Sequence, residues 1–193
     1  MMSQTIAHRS PIAPSDWLKG YYFLRFAVSA SWVALFLTVA ETVPTLAAVM
    51  LIAYPAWDAI ANLLDASLSG GLGRNNSQML NVIVSTATAV AVAVTLERGM
   101  NAVLAVFGVW AVLSGVFQLV TAARRWKSHG AQWAMVLSGA QSALAGGFFL
   151  KLASGTELAD IGHVGGYAAF GAFYFLVSAI WLTVSDARRR RKA

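Results

Sequence analysis

The sequence contains no cysteine and few charged residues. The absence of cysteine excludes disulfide bonds and thiol chemistry. Asp, Glu, Lys and Arg make up only 11% of the 193 residues, whereas soluble domains carry roughly a quarter. Because 58% of the residues are hydrophobic, such a chain cannot cover itself with polar surface in water. The composition therefore predicts an integral membrane protein.

The sequence also lacks the motifs of common enzymes. It has no catalytic triad pattern, no HExxH and no nucleophile elbow, which predicts a protein without enzymatic activity, metal or cofactor. The glycine-rich stretch 69–77 lacks the third glycine of the dinucleotide-binding pattern, so a linker is favoured over a phosphate-binding loop. Glu157, Asp160 and His163 leave metal binding or pH sensing open, but three ligands on one connection favour solvated loop residues.

What the chain does contain is six apolar windows, each long enough to cross a bilayer. The predicted helices are 16–39, 44–67, 78–96, 100–126, 132–153 and 165–186. The predicted fold class is all-α: a polytopic membrane protein with six transmembrane helices arranged as three tandem helical hairpins, at 17–67, 78–126 and 132–186. A polar N-terminal segment (1–16) precedes the membrane domain (17–186), and a basic tail (187–193) follows it.

Basic residues are distributed unequally between the two sides of this arrangement. Eleven Lys and Arg residues lie on the side of both termini, and only Arg98 and Lys151 lie on the other. The positive-inside rule then predicts cytoplasmic termini in a bacterial inner membrane. This distribution explains the net charge of +6 without a nucleic acid. The expected partner is the lipid bilayer, with anionic lipid at the basic tail, and a homo-oligomer stays open.

An internal repeat supports the hairpin arrangement. Shifted by 56 residues, the first two helices align with the next two without a gap. The aligned pairs include Arg25 with Asn81, Ser29 with Ser85, Glu41 with Glu97, Asp58 with Ser114, and Asn62 with Gln118. Shifts of 53 and 63 residues bring the last two helices in as a third copy, with Ser138 opposite Ser85. Three copies of one helical hairpin are therefore predicted.

Two charged residues lie deep within the predicted spans, Arg25 in the first helix and Asp58 in the second. If these helices are antiparallel about a turn at residue 41 or 42, residues whose numbers sum to about 83 lie at the same depth. Arg25 and Asp58 obey this rule, and Lys19 and Asp65 nearly do. The sequence therefore places a basic residue opposite an acid at both levels and predicts an ion pair between Arg25 and Asp58. Because such a pair holds Asp58 ionised, a simple proton pump is disfavoured.

Polar residues spaced at i, i+4 and i+7 share one face of the second helix. Together with polar residues at the same depth in the first helix, they predict a vestibule on the cytoplasmic side. Its residues are Tyr22, Arg25, Tyr54, Asp58 and Asn62, with Lys19 and Asp65 at its edge. Pro55 is predicted to kink the second helix and to free a carbonyl near Leu51.

The segment 107–120, FGVWAVLSGVFQLV, is followed by basic residues. Its small-residue pattern in the second helix of a hairpin resembles that of the HdeD-like acid-resistance membrane proteins, a family built from a short transmembrane repeat of unknown molecular function. The resemblance covers nearly the whole chain. It implies a small bacterial inner-membrane protein tied to acid or envelope stress, and it supplies no catalytic residues. Pro55 and Asp58 depart from this pattern.

The sequence leaves two functions open. One is a structural or stress-protective membrane protein that acts through protein or lipid contacts, with Arg25 and Asp58 as a lock between two helices. The other is a small-solute or proton-linked transporter or channel that uses these residues, since an intramembrane ionisable group marks a functional site by default. A cavity that reaches Asp58 would favour transport, and a fully packed bundle would exclude it.

Overall fold

The computed structural model describes residues 14–40, 42–68, 70–125, 132–157 and 159–191. These residues form six α-helices and no strand. The helices are α1 (Pro14–Leu35), α2 (Pro44–Leu68), α3 (Asn76–Thr95), α4 (Met100–Arg125), α5 (Gln132–Ala153) and α6 (Gly162–Arg190). Each is long and apolar enough to cross a membrane, which confirms the all-α, six-span fold class. Residues 1–13, Glu41, Ser69, 126–131, Leu158 and 192–193, which include parts of the predicted N-terminal segment and tail, lie outside the described residues.

The helix ends follow local chemistry. α2 begins at Pro44, where the missing N–H of proline costs nothing because that position has no intrahelical acceptor. Gly99 adopts a φ of +94° between α3 and α4, a conformation open mainly to glycine. α1 is extended by a π-helical turn, Phe36–Ala40. α6 continues to Arg190, so several basic residues expected in a separate tail belong to the last helix.

The closest backbone contacts join helices that the hairpin prediction did not pair. α4 packs closely against α5, α2 against α3, and α1 against α6. Looser contacts join α3 to α4, α5 to α6 and α1 to α2. The six helices therefore close a ring in which the last helix returns to the first. The packing of the helices as three tandem hairpins is not confirmed.

Glycines determine the tightest seam, between α4 and α5. A Cβ atom on Gly115 would lie 2.5 Å from the Gly139 carbonyl oxygen. A Cβ atom on Gly146 would lie 2.5 Å from the Gly108 carbonyl oxygen and 2.6 Å from the Val112 nitrogen. Small residues let helix backbones approach closely in lipid, where no hydrophobic effect drives helices together.

Buried apolar side chains gather at one end of the ring, where α1 and α3 end and where α2, α4 and α6 begin. We call this cluster the apolar core; its largest fully buried members are Phe36, Leu51, Val92, Val103, Leu104, Phe107 and Val164. Large apolar side chains also cover the outside of the ring, as Leu144 does with 76% of its surface exposed. An apolar exterior of this kind suits contact with lipid chains.

Two adjacent glycines in α5 provide a matched test of the α4–α5 seam. We expect Gly146→Ala to destabilise the protein by about 1–3 kcal/mol, the usual cost of overpacking. A Cβ atom on Gly147 would have no neighbour from another helix within 4 Å, so Gly147→Ala should be neutral or slightly stabilising. Thermal unfolding of both variants in the same detergent measures the difference. Equal melting temperatures would contradict the close approach of the two backbones.

Candidate functional site

Arg25 and Asp58 form an ion pair between α1 and α2. Nη2 of the guanidinium contacts Oδ1 of the carboxylate, and only 13% and 18% of the two side chains are exposed. The guanidinium also lies 4.2 Å from the ring centroid of Phe175 on α6, a cation–π distance. The contact expected from the depth rule is therefore present near the middle of the helices.

The Asp58 carboxylate collects hydrogen bonds from three helices. In addition to Arg25 from α1, Asn62 Nδ2 of its own helix donates to Oδ2 at 3.1 Å, and Ser85 Oγ of α3 donates to Oδ2 at 2.8 Å. Trp110 of α4 donates to Ser85 Oγ at 3.0 Å. One carboxylate thus links α1, α2, α3 and, through a serine, α4. A buried charge is tolerated when it is paired and hydrogen-bonded in this way.

The tyrosine that contacts Arg25 is Tyr21, whereas Tyr22, which the sequence placed in the vestibule, does not line the cavity. Tyr21 accepts a hydrogen bond from Arg25 Nη1 at 3.1 Å and donates one to the Ala61 carbonyl at 3.2 Å. Tyr22 instead stacks against Phe175, with ring centroids 6.4 Å apart. The reason is helical spacing, because residues four apart lie above one another on a helix. The depth rule takes no account of this direction.

Lys19 and Asp65 each pair with a residue of another helix. Lys19 Nζ lies 2.9 Å from Asp186 Oδ2 on α6, and Asp65 accepts a hydrogen bond of 3.0 Å from Gln78 on α3. At this end of the ring α1 packs against α6 and α2 packs against α3, so each side chain meets the neighbour of its own helix. Each of them therefore pairs with a residue of another helix, and not with the facing residue that the depth rule indicates.

Pro55 is buried within a continuous α2. A proline at this position leaves the carbonyl of Leu51 without its usual N–H donor. Trp32 Nε1 of α1 donates to the adjacent carbonyl, that of Met50, at 3.0 Å. This hydrogen bond reaches the backbone beside the proline, but it does not replace the donor that the Leu51 carbonyl has lost. The kink itself stays a prediction.

A cavity of about 130 Å³ lies between the central turns of the ring, and all six helices line it. Arg25, Tyr54, Asp58 and Asn62 of the predicted vestibule line this cavity, whereas Lys19, Tyr22 and Asp65 do not. The amide and serine side chains that the vestibule prediction missed are Ser29, Asn81, Ser114, Gln118, Ser138, Gln141 and Ser142. The repeat carried the missing signal, because Asn81, Ser114 and Gln118 align with Arg25, Asp58 and Asn62.

Four buried polar atoms have no hydrogen-bond partner among the described residues and belong to side chains that line the cavity. They are Arg25 Nε, Trp57 Nε1, Ser114 Oγ and Gln118 Oε1. An unsatisfied polar group in the membrane interior costs several kcal/mol. A molecule that entered the cavity and shifted these side chains toward itself could remove this cost.

Aromatic rings separate the cavity from the apolar core. Trp32, Tyr54, Trp110, Tyr167 and Phe149 contact one another in sequence, with ring centroids 4.9 to 5.9 Å apart. We call these five side chains the aromatic layer. They are continuous with the buried apolar side chains at that end of the ring. The cavity is therefore closed toward the end where α1 ends and α2 begins.

The acidic and histidine residues of the connection between α5 and α6 make local contacts. Asp160 Oδ1 accepts a hydrogen bond from the Gly162 nitrogen at 2.8 Å, and His163 Nδ1 lies 2.8 Å from the Asp160 carbonyl oxygen. Asn101 at the start of α4 donates to the Glu157 carbonyl at 3.0 Å. Within the described residues no group of three or more His, Asp or Glu side chains is placed to hold a metal ion.

Comparison with known proteins gives one match. The family described as "Short repeat of unknown function (DUF308)" matches residues 81–151, from within α3 to near the end of α5. No curated protein and no solved structure matches the chain. The matched segment is less than half of the chain, so it shows a likeness to this repeat and no particular activity. Together with the six apolar helices, it indicates a multi-pass membrane protein of unknown function.

The ion pair can be tested with a double-mutant cycle. Asp58→Asn leaves Arg25 charged and buried without its counter-ion, and we expect a loss of about 3–5 kcal/mol. The double variant Arg25→Gln with Asp58→Asn should recover part of this loss, because neither charge remains. Asp65→Asn on the same helix is the control, with an expected cost of about 1 kcal/mol or less. Unfolding in micelles is measured for the unmodified protein, the single variants Arg25→Gln and Asp58→Asn, the double variant and the control.

If the double variant loses the sum of the two single losses, Arg25 and Asp58 do not interact and the network described above is wrong.

Proposed function

We propose that this chain is a non-enzymatic membrane protein that binds a small polar solute in its central cavity. The observation that carries this proposal is a polar cavity, with a buried ion pair and four unpartnered polar atoms, at the middle of an apolar helical ring. Of the two functions that the sequence leaves open, this cavity favours the small-solute transporter.

A purely structural ion pair does not account for the remaining polar residues. A lock between α1 and α2 needs Arg25, Asp58 and their direct hydrogen bonds. The lining also contains amides and hydroxyls from α3, α4 and α5 that touch neither charge, among them Asn81, Gln118 and Gln141. Polar groups inside a membrane are expensive. Their convergence on one cavity supports a ligand rather than packing.

The volume of the cavity limits the solute. A cavity of about 150 Å³ holds one benzene molecule, and a water molecule takes about 30 Å³ of liquid. The present 130 Å³ therefore accommodates about four water molecules or a solute of about six non-hydrogen atoms.

The position of the aromatic layer indicates how a solute could cross the protein. It closes the cavity toward one end of the ring, so a solute could cross only after Tyr54, Trp110 and Tyr167 move apart. This arrangement supports a gated carrier that exposes its site to one side at a time, and it argues against a permanently open pore.

The cellular setting remains part of the proposal. The likeness to a short membrane repeat supports the resemblance to HdeD-like proteins, and with it an inner-membrane location and a role in acid or envelope stress. The imbalance of basic residues supports cytoplasmic termini. Exposed Arg188, Arg190 and Arg191 at the end of α6 are suited to anionic lipid headgroups.

Cysteine labelling tests whether water and small reagents reach the cavity. The protein has no cysteine of its own, so each introduced thiol reports alone. We expect Ser138→Cys, in the cavity lining, to react with a small water-soluble thiol reagent in intact vesicles. Ala168→Cys, at a fully buried position of the apolar core, should react only after denaturation. An inert Ser138→Cys, with reagent on either side, would contradict a solvated cavity.

The same reagent tests the topology. Arg74→Cys lies between α2 and α3, and Arg98→Cys lies between α3 and α4. We expect impermeant reagent outside spheroplasts to label Arg98→Cys and to leave Arg74→Cys unlabelled. Labelling of both from one side would rule out the proposed orientation.

A further inference from the structure

We propose that the cavity selects a neutral solute that carries both hydrogen-bond donors and acceptors, of the urea type, and excludes ions of either sign. This inference rests on the proposed function, since it names the class of solute that the same site would bind. Three features of the lining support it: the balance of charge, the pairing of the two charged groups and the unpartnered polar atoms.

The charges that line the cavity balance each other. One guanidinium and one carboxylate line the cavity, and the remaining lining residues are amides, hydroxyls, aromatic residues and one glycine. The two charges already contact each other. An ion that enters the middle of a membrane must leave its hydration shell, which is costly unless a counter-charge replaces that shell. The lining offers no unpaired counter-charge, so it provides no compensation for an ion.

Both charged groups already have hydrogen-bond partners in the protein. The Asp58 carboxylate accepts hydrogen bonds from Arg25, Asn62 and Ser85. Both terminal nitrogens of the Arg25 guanidinium donate, one to Asp58 and one to Tyr21. A cation would have to compete with Arg25 for the carboxylate, and an anion would have to compete with Asp58 for the guanidinium. The pair therefore acts toward a solute as a fixed dipole and not as a free charge.

The unpartnered polar atoms include both hydrogen-bond donors and acceptors. Arg25 Nε and Trp57 Nε1 are donors, and Gln118 Oε1 is an acceptor. Ser114 Oγ accepts or donates. These atoms come from α1, α2 and α4 and have no partner among the residues that the structure describes. All four atoms are buried in this conformation, so a neutral molecule with a carbonyl oxygen and amide hydrogens would complement both kinds once its entry shifts the side chains that carry them. Urea has four non-hydrogen atoms, which the cavity volume accommodates.

Three planar solutes of the same size separate charge from shape. Urea is neutral, guanidinium is a cation and nitrate is an anion, and each has four non-hydrogen atoms. The purified full-length protein is reconstituted in liposomes, and the entry of each solute is followed by stopped-flow light scattering after an osmotic step. We expect urea to enter severalfold faster than in protein-free liposomes. With an ionophore present to carry the compensating charge, guanidinium and nitrate should stay at the background rate.

Two neighbouring residues of α5 provide the matched variants. Ser138 lines the cavity, and Leu137 faces outward with 57% of its surface exposed. Ser138→Leu should return urea entry to the background rate because it fills the cavity, whereas Leu137→Phe should leave it unchanged. If Ser138→Leu does not fold, Gln118→Leu replaces it, since this change removes an acceptor with little change of volume.

The outcomes distinguish the two proposals. If guanidinium or nitrate enters as fast as urea and Ser138→Leu abolishes that entry, the cavity transports solutes but the selection of neutral ones is wrong. If no solute enters faster than background, or if Ser138→Leu has no effect on urea entry, transport through this cavity is wrong and the neutral-solute inference falls with it.

Discussion

The structure depends on how one carboxylate is accommodated within an apolar ring of helices. Asp58 sits near the middle of α2, where an isolated charge would cost several kcal/mol. Its oxygens receive Arg25 from α1, Asn62 from α2 and Ser85 from α3. Trp110 then extends the network to α4. Because four helices meet at this group, its hydrogen bonds hold their relative positions as well as satisfying its charge.

The unequal spacing of the helices leaves a cavity at the centre of the ring. Large side chains lie between α1 and α2, among them Arg25 and Trp32, and they hold these backbones apart. The glycines of α4 and α5 have the opposite effect, since Gly115 and Gly146 bring those backbones into contact. Tight and loose seams therefore alternate around the ring. The polar side chains of the loose seams face a common cavity, and the aromatic layer closes it at one end.

The sequence predicted the helices well because length and hydropathy alone determine which segments can cross a bilayer. The ends of α5 agree with the prediction, and α2 begins at the predicted Pro44. The contact between Arg25 and Asp58 was also predictable, since antiparallel helices joined by a short turn place matched positions at one depth. Depth, however, does not determine the direction in which a side chain points.

The wrong predictions arise because the depth of a residue does not tell in which direction its side chain points. Tyr21 lies below Arg25 on one face of α1, whereas Tyr22 points toward α6, and the two residues differ in depth by only one position. Lys19 contacts Asp186 because α1 and α6 are neighbours, a relation between chain ends that no local pattern contains. The contributions of α3 to α5 to the cavity were encoded in the repeat, through Asn81, Ser114 and Ser138. The repeat gives the depth of each polar residue, but it does not determine which helices become neighbours.

The most direct measurement of the central claim is hydroxyl-radical footprinting of the unmodified protein in lipid nanodiscs. Radicals generated from water modify side chains that water reaches. Trp57 and Tyr174 line the cavity, whereas Trp32 and Met50 belong to the packed apolar end. We expect Trp57 and Tyr174 to be modified at rates well above those of Trp32 and Met50. Equal protection of all four residues would show that the centre of the ring is dry, and would contradict a solute site at Arg25 and Asp58.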